Sequence, residues 1–151
     1  MDKLGRYVIV ILLVSEFAFR RQLSNAVRLP SPDLSPREVV KIQVDSLRHW
    51  NEPTPNRGIW TTFQFASPAN RRVTGPYGHF LRLIRGPENR PFLHAKDARF
   101  LSERRTGSSS EVVVELEDPE GARKRFTFSL SLQGTAPFKD CWMTDGVYPS
   151  L

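Results

Sequence analysis

Among the side chains of the kind that move protons, four stand where a cavity could form around them: Asp45, His79, Asp140 and Asp145. A carboxylate facing a low-dielectric cavity has a raised pKa and can act as a general base. An imidazole changes charge near neutral pH and can do similar work. His79 sits in the aromatic run YGHFLRLI, and Asp140 and Asp145 lie at the closing strand. His79, Asp140 and Asp145 are therefore the catalytic candidates, with Asp45 as a further acid. They would need a cavity near Tyr77 or Trp142 to act in. The bland reading is loop acids and a surface histidine, with Asp145-Gly146 serving as a bulge or turn. No Gly-rich phosphate loop, Gly-x-Ser-x-Gly elbow or His-Glu-x-x-His motif is present. The three histidines, His49, His79 and His94, share no ligand spacing. Cys141 is the single cysteine, which excludes an internal disulfide and a multi-cysteine metal site. No metal and no cofactor is expected.

A second set of residues could bind rather than react. Trp60, Phe63, Tyr77, Phe80, Phe126, Phe128 and Trp142 could line a concave apolar pocket. The alternative is that these rings fill the core. Tyr77 and Trp142 carry polar atoms that need partners when buried. Arg71 and Arg72 could hold an anionic group, or belong to a solvated crossover. Cys141 alternates with Trp142 and should face away from it, under a helix or at a dimer face.

These residues need elements to carry them. Leu29 to Pro36 is a linker containing Pro30, Pro32 and Pro36. Ser35-Pro36-Arg37-Glu38 predicts a capped helix start, because Ser35 and Glu38 can satisfy each other's backbone N–H groups. Leu34 and Val39 are placed as a hydrophobic staple. Val40, Val44 and Leu47 recur at helical spacing, so the first helix should run to about His49. Asn56 should cap a second helix with Ile59, Trp60, Phe63 and Ala66 as its buried stripe. Ser67-Pro68 should end it, and Ala69 to Gly75 reads as a crossover. A third helix follows Gly75-Pro76, with Tyr77, Phe80, Leu81 and Ile84 on one side, and stops at Gly86-Pro87.

Period-two alternation then takes over. His94 to Phe100 reads as a weak first strand and Arg104 to Ser110 as a polar loop. Val112, Val114 and Leu116 alternate with Val113, Glu115 and Glu117. Asp118-Pro119-Glu120-Gly121 has proline and glycine where a tight hairpin wants them. Phe126, Phe128, Leu130 and Leu132 alternate with Thr127, Ser129 and Ser131. A loop over residues 133–139 leads to a closing strand from Cys141 to Tyr148. Helices first and an antiparallel meander after make an α+β domain over residues 31–151. About four curved strands should be covered by three helices, leaving a cone with an aromatic lining. The outer sheet face, with Val113, Thr127 and Ser129, is a candidate homodimer surface.

The net charge of +6 invites a nucleic-acid reading until it is divided. Residues 1–30 carry +3, and the remaining +3 is spread over 17 basic and 14 acidic side chains. A mixed surface of this kind is not a binding stripe, and nucleic acid is not expected as a partner.

Phe65-Ala66-Ser67-Pro68, then Gly75 and Phe80, then Pro91 to Phe100, and finally Trp142 to Tyr148 resemble the family called domain of unknown function 4864. That family is similar in helix–strand order to the nuclear transport factor 2-like, or SnoaL-like, α+β cone superfamily. The resemblance covers about residues 33–149 and implies a fold. It brings no catalytic residues, because the superfamily holds enzymes, ligand binders and dimerisation modules alike. With no convergent acid, base and nucleophile, the expectation is a non-catalytic module for a small apolar ligand or a protein partner. The alternatives are an isomerase, dehydratase or hydrolase using a cavity carboxylate or histidine, and a homodimerising structural module.

Residues 1–30 stand apart. Tyr7 to Val14 is unbroken apolar sequence behind Lys3 and Arg6. It is shorter than the roughly 20 residues that span a bilayer, and it resembles a secretory signal core. Arg20 to Ser31 has transit-peptide composition, Arg-bearing and without acid. The expectation is targeting to the secretory pathway or membrane anchoring, with the segment engaging membrane or translocation machinery. A plastid signal-plus-transit presequence is the alternative. Residues 31–151 expressed alone should melt at the same temperature as the full chain. An unfolded truncated product would make the segment part of the core.

Overall fold

A computed structural model describes residues 28–151. The expectations for targeting and anchoring fall on residues 1–30 and lie almost wholly outside it. No helix among the described residues is long and apolar enough to cross a membrane. The described residues form five α-helices, α1 (Pro36–Arg48), α2 (Arg57–Gln64), α3 (Pro68–Thr74), α4 (Tyr77–Ile84) and α5 (Arg90–His94), with a 3-10 turn at Pro87–Asn89. Four strands follow, β1 (Asp97–Thr106), β2 (Ser109–Glu117), β3 (Arg123–Leu132) and β4 (Trp142–Pro149). They make one open antiparallel sheet in the order β1-β2-β3-β4.

The first helix forms as its sequence dictates. Ser35 accepts a hydrogen bond from Glu38 N at 3.2 Å, and Glu38 accepts one from Ser35 N at 2.7 Å. These bonds hold the Glu38 carboxyl below the usual glutamate range, the backbone N–H of Ser35 contributing most. Val39, Val40, Val44 and Leu47 are buried, and Leu34 packs against the same core.

The start of α2 departs from expectation. Asn56 does occupy the cap position, but its backbone is left-handed, with φ of 61°, and its side chain makes no capping bond. Instead Asn51 accepts from Asn56 N at 3.1 Å, and Gly58 N donates to Trp50 O at 2.9 Å. A left-handed cap residue lacks the extended backbone from which a side-chain cap is normally made.

Two helices appear where none was expected. Residues 69–75, read as a crossover, are mostly helix α3. Ser67 caps it through Asn70 N at 3.1 Å, with Pro68 in the first turn. This is the same Ser-Pro start as Ser35-Pro36, and the one proline serves both to end α2 and to open α3. His94 was read as strand, yet it ends α5, because Pro91 fits the first turn of a helix and Phe92 and Leu93 turn into the core. The strand begins at Asp97.

The polar stretch 104–110 is a hairpin rather than a loop. Thr106 pairs with Ser109 across Gly107-Ser108, and Arg104 pairs with Glu111. Gly107 takes a positive φ of 58°, which suits a two-residue turn. Both faces of this end of β1 meet water, so no alternation marked it. The Asp118–Gly121 turn forms as expected. Asp118 Oδ1 accepts from Glu120 N and Ala122 N, and Gly121 N donates to Asp118 O.

On the inner face of the sheet, Val112, Val114, Leu116, Phe126, Phe128 and Leu130 are buried against the helices. On the outer face, Val113, Thr127 and Ser129 are half-buried rather than open. Each lies on a central strand and is flanked by side chains from both neighbours. Glu115 anchors that face, accepting from Arg125 Nε at 3.0 Å. The ladder breaks register at Leu101 in β1 and at Asp145 in β4. Such bulges bend a strand and re-aim its side chains.

Helices α1 and α2 meet backbone to backbone. A Cβ built at Gly58 would stand 1.9 Å from the Ser46 carbonyl oxygen and 2.7 Å from Trp50 Cα. Neither obstacle is a side chain that can swing aside. Gly58→Ala should therefore cost about 3 kcal/mol through forced separation of the two helices. Urea unfolding of the variant beside the parent checks this, and an unchanged midpoint would show the contact to be soft.

Candidate functional site

A cavity of about 420 Å³ lies between the helices and the β4 side of the sheet. Its apolar wall is built by Leu47 of α1, Phe80, Leu83 and Ile84 of α4, Phe92 of α5 and Phe128 of β3. The amphipathic spacing of α4 sets this wall, since Phe80, Leu83 and Ile84 recur at helical intervals. The cavity mouth is apolar as well. Val73, Leu83, Val147 and Tyr148 all line it, at 84%, 43%, 39% and 57% exposure. These are four of the seven large hydrophobic residues that the described residues leave exposed, and they gather at one opening. Scattered surface apolar residues need no explanation, but a cluster around a cavity does.

The polar lining comes from Gln43, Thr62, Asn70, Thr74, Asn89, Thr144 and Asp145, with the Tyr148 hydroxyl at the mouth. Three of these form a buried network. Thr144 Oγ1 donates to Gln43 Oε1 at 2.6 Å, Gln43 Nε2 donates to Thr62 O at 3.2 Å, and Thr62 Oγ1 donates to Gly58 O at 2.9 Å. Asn70 Nδ2 donates to Thr144 O at 3.1 Å. Asp145 is the extra residue of the β4 bulge: Thr144 pairs with Leu130 and Gly146 with Ser129, and Asp145 falls between them.

The structure distributes the sequence-derived candidates as follows. Phe80, Phe128 and Asp145 line the cavity. Trp60, Phe63 and Tyr77 form an aromatic cluster beside it. Trp60 meets Tyr77 edge-on at 4.8 Å between centroids, Phe63 lies 5.4 Å from Tyr77, and Phe63 lies 5.2 Å from Phe80. Burial raises the Tyr77 phenol above its usual range. Phe126 packs against Phe92 with the rings tilted by 48° and 4.5 Å between centroids. Trp142 is buried, with the Arg105 guanidinium 5.2 Å from its ring.

The remaining titratable candidates do not line this cavity. His79 is exposed, and its Nδ1 donates to Thr74 O. Asp140 is exposed in a left-handed turn with φ of 64°, its N–H donating to Gln133 O at 2.8 Å. Asp45 pairs with Lys41 one helical turn away. It lines a separate polar groove of about 340 Å³ between α1 and α2 with His49, Glu52 and Arg57. Cys141 is buried, and burial together with the charge of Asp140 pushes its thiol up. That is the opposite of an activated nucleophile. No cluster of three or more potential metal ligands occurs among the described residues.

Arg71 is engaged elsewhere. Its guanidinium donates to the carbonyls of Ala66, Phe63 and Gln64, each at 3.0 Å, and lies 4.5 Å from the Phe63 ring. It thus satisfies the free carbonyls at the end of α2. Arg72 is exposed.

Several lining residues were not singled out in the sequence. Gln43 carried a signal, a polar residue set among Val39, Val40, Ile42 and Val44. Thr144 carried another, since it shares the Trp142 face of β4. Asn70, Asn89 and Val147 carried none. Comparison with family models, with curated proteins and with solved structures gives no match.

Arg71→Ala should destabilise the domain by about 2 to 3 kcal/mol, because the part-buried carbonyls of Ala66 and Gln64 lose their donor and that of Phe63 loses one of its donors. Arg71→Lys should recover only a fraction, since an ammonium cannot present the planar fork. Chemical denaturation of both variants measures the difference. Equal stability of both with the parent would remove Arg71 as the α2 cap.

Proposed function

We propose that this protein is a non-catalytic module that takes a small apolar or amphipathic ligand into the cavity between α4 and β4. The observation that carries this reading is the apolar mouth. Exposing Val73, Leu83, Val147 and Tyr148 to water is unfavourable, at roughly 25 cal/mol per Å² of apolar surface. Burying that surface against a ligand recovers the energy. The volume falls in the range of ligand pockets, roughly 300 to 1,000 Å³. The lining is mostly apolar with a few polar groups at one side, the usual character of such sites.

The cone-fold resemblance supports the same reading only at the level of architecture. Catalysis is supported less. Asp145 is the one carboxylate in the lining, and no histidine, cysteine or second acid stands with it. General acid–base chemistry needs a partner within hydrogen-bond reach of the same reacting atom.

A fluorescent hydrophobic probe should bind the folded full chain at one site. Leu83→Glu with Val147→Glu, both on the rim, should weaken binding about tenfold or more, while circular dichroism and melting stay close to the parent. Undiminished probe binding by this folded variant would remove the cavity as the site.

A further inference from the structure

We infer that the ligand of this cavity carries a hydrogen-bond donor or cationic head, such as an alkylammonium group, and that Asp145 selects for it. The inference rests on the cavity being a binding site and adds the chemistry of what binds there.

Apart from the Tyr148 hydroxyl, which can donate or accept, the polar side-chain atoms left available in the lining are acceptors. The Thr74 hydroxyl already donates to Asn70 O at 3.1 Å. Asn70 Nδ2 already donates to Thr144 O, and Asn89 Nδ2 to Leu83 O at 2.9 Å. A carbonyl oxygen can only accept, so both amides must turn their nitrogens to the backbone. Their Oδ1 atoms have no donor among the described residues. The Thr144 hydroxyl proton is committed to Gln43 Oε1, and the Gln43 amide donates to Thr62 O. The Asp145 side chain has no ion-pair or hydrogen-bond partner among the described residues. No described arginine, lysine or histidine lines the cavity.

This polarity runs against the rest of the molecule, whose net charge is +6. A carboxylate or phosphate head would meet an unpaired carboxylate and amide oxygens, with no counter-charge and the Tyr148 hydroxyl as its one uncommitted side-chain donor among the described lining residues. An ammonium head would meet an unpaired opposite charge and further acceptors beside a low-dielectric wall, where Coulomb attraction is least screened. The β4 bulge supplies the geometry. An unbroken ladder would leave residue 145 opposite Ser129 on the outer face, whereas the inserted residue places Asp145 at the mouth.

The test uses three ligands with one tail, decylamine, decanol and decanoate, titrated calorimetrically into the full chain near neutral pH. Salt is held at about 0.15 M, where charges beyond roughly 8 Å are screened. The amine should bind at least about tenfold tighter than the carboxylate. Asp145→Asn should bring the two within about threefold, with the affinity for decanol unchanged. Equal binding of amine and carboxylate, or a preference that survives Asp145→Asn, overturns this inference and leaves the cavity reading intact. Failure of all three ligands to bind removes both.

Discussion

Thr144 is held from four directions, and the architecture depends on that junction. Its N–H donates to Phe65 O at 2.8 Å, and its carbonyl accepts from Ser67 N at 2.9 Å and from Asn70 Nδ2. Its hydroxyl reaches Gln43 on α1. One residue of the edge strand therefore binds α1, the α2–α3 junction and α3 to the sheet. The short parallel bridge between Ala66 and Thr144 also covers the edge of β4 that would otherwise be open. Each such bond contributes about 1 kcal/mol net, but a lost partner at this depth leaves a bare polar atom and costs more. A buried polar network of this kind fixes one register, because a sliding strand would break every bond together.

The cavity follows from this fastening. Helix α1 is drawn onto the sheet at Gln43 and onto α2 at Gly58, so the helices sit close at that end. Helix α4 is attached through the aromatic cluster of Trp60, Phe63 and Tyr77, and it stands off from β4. Side chains from both sides partly fill the gap, and the rest remains as space bounded by Phe80, Ile84, Phe92 and Phe128. The bulge at Asp145 lies immediately after the junction. The rigid point and the irregular point of β4 are adjacent, which is how a bent strand can present a polar side chain beside an apolar wall.

Residues with chemical potential in this chain are mostly occupied by backbone groups. Arg71 caps the end of α2, His79 bonds the Thr74 carbonyl, and His49 Nδ1 bonds Asp45 O at 2.9 Å. Five short or medium helices leave many unpaired carbonyls, and polar side chains nearby are recruited to them. Asp145 differs because a strand offers its side chain no such task.

Elements whose signals are contiguous were legible in the amino-acid order. The Ser35–Glu38 capping box started α1, the Asp118–Gly121 turn joined β2 to β3, and the alternation from Phe126 to Leu132 assigned the inner face of β3. Where local signals were silent, pairing decided. The Arg104–Thr106 stretch became strand because β2 was there to pair with it, not because of its own pattern. Residues 69–75 differ, since Ser67-Pro68 is a local start signal that also ends α2, and Ser67 and Asn70 are in addition bonded to Thr144. The cavity was illegible for the same reason as the Arg104–Thr106 stretch. Gln43 and Thr144 are 101 positions apart, and Asn70 and Asn89 come from two more elements. No periodicity relates them. Their approach is set by the packing of helices on a bulged sheet, and so the donor–acceptor character of the site exists only in the tertiary structure.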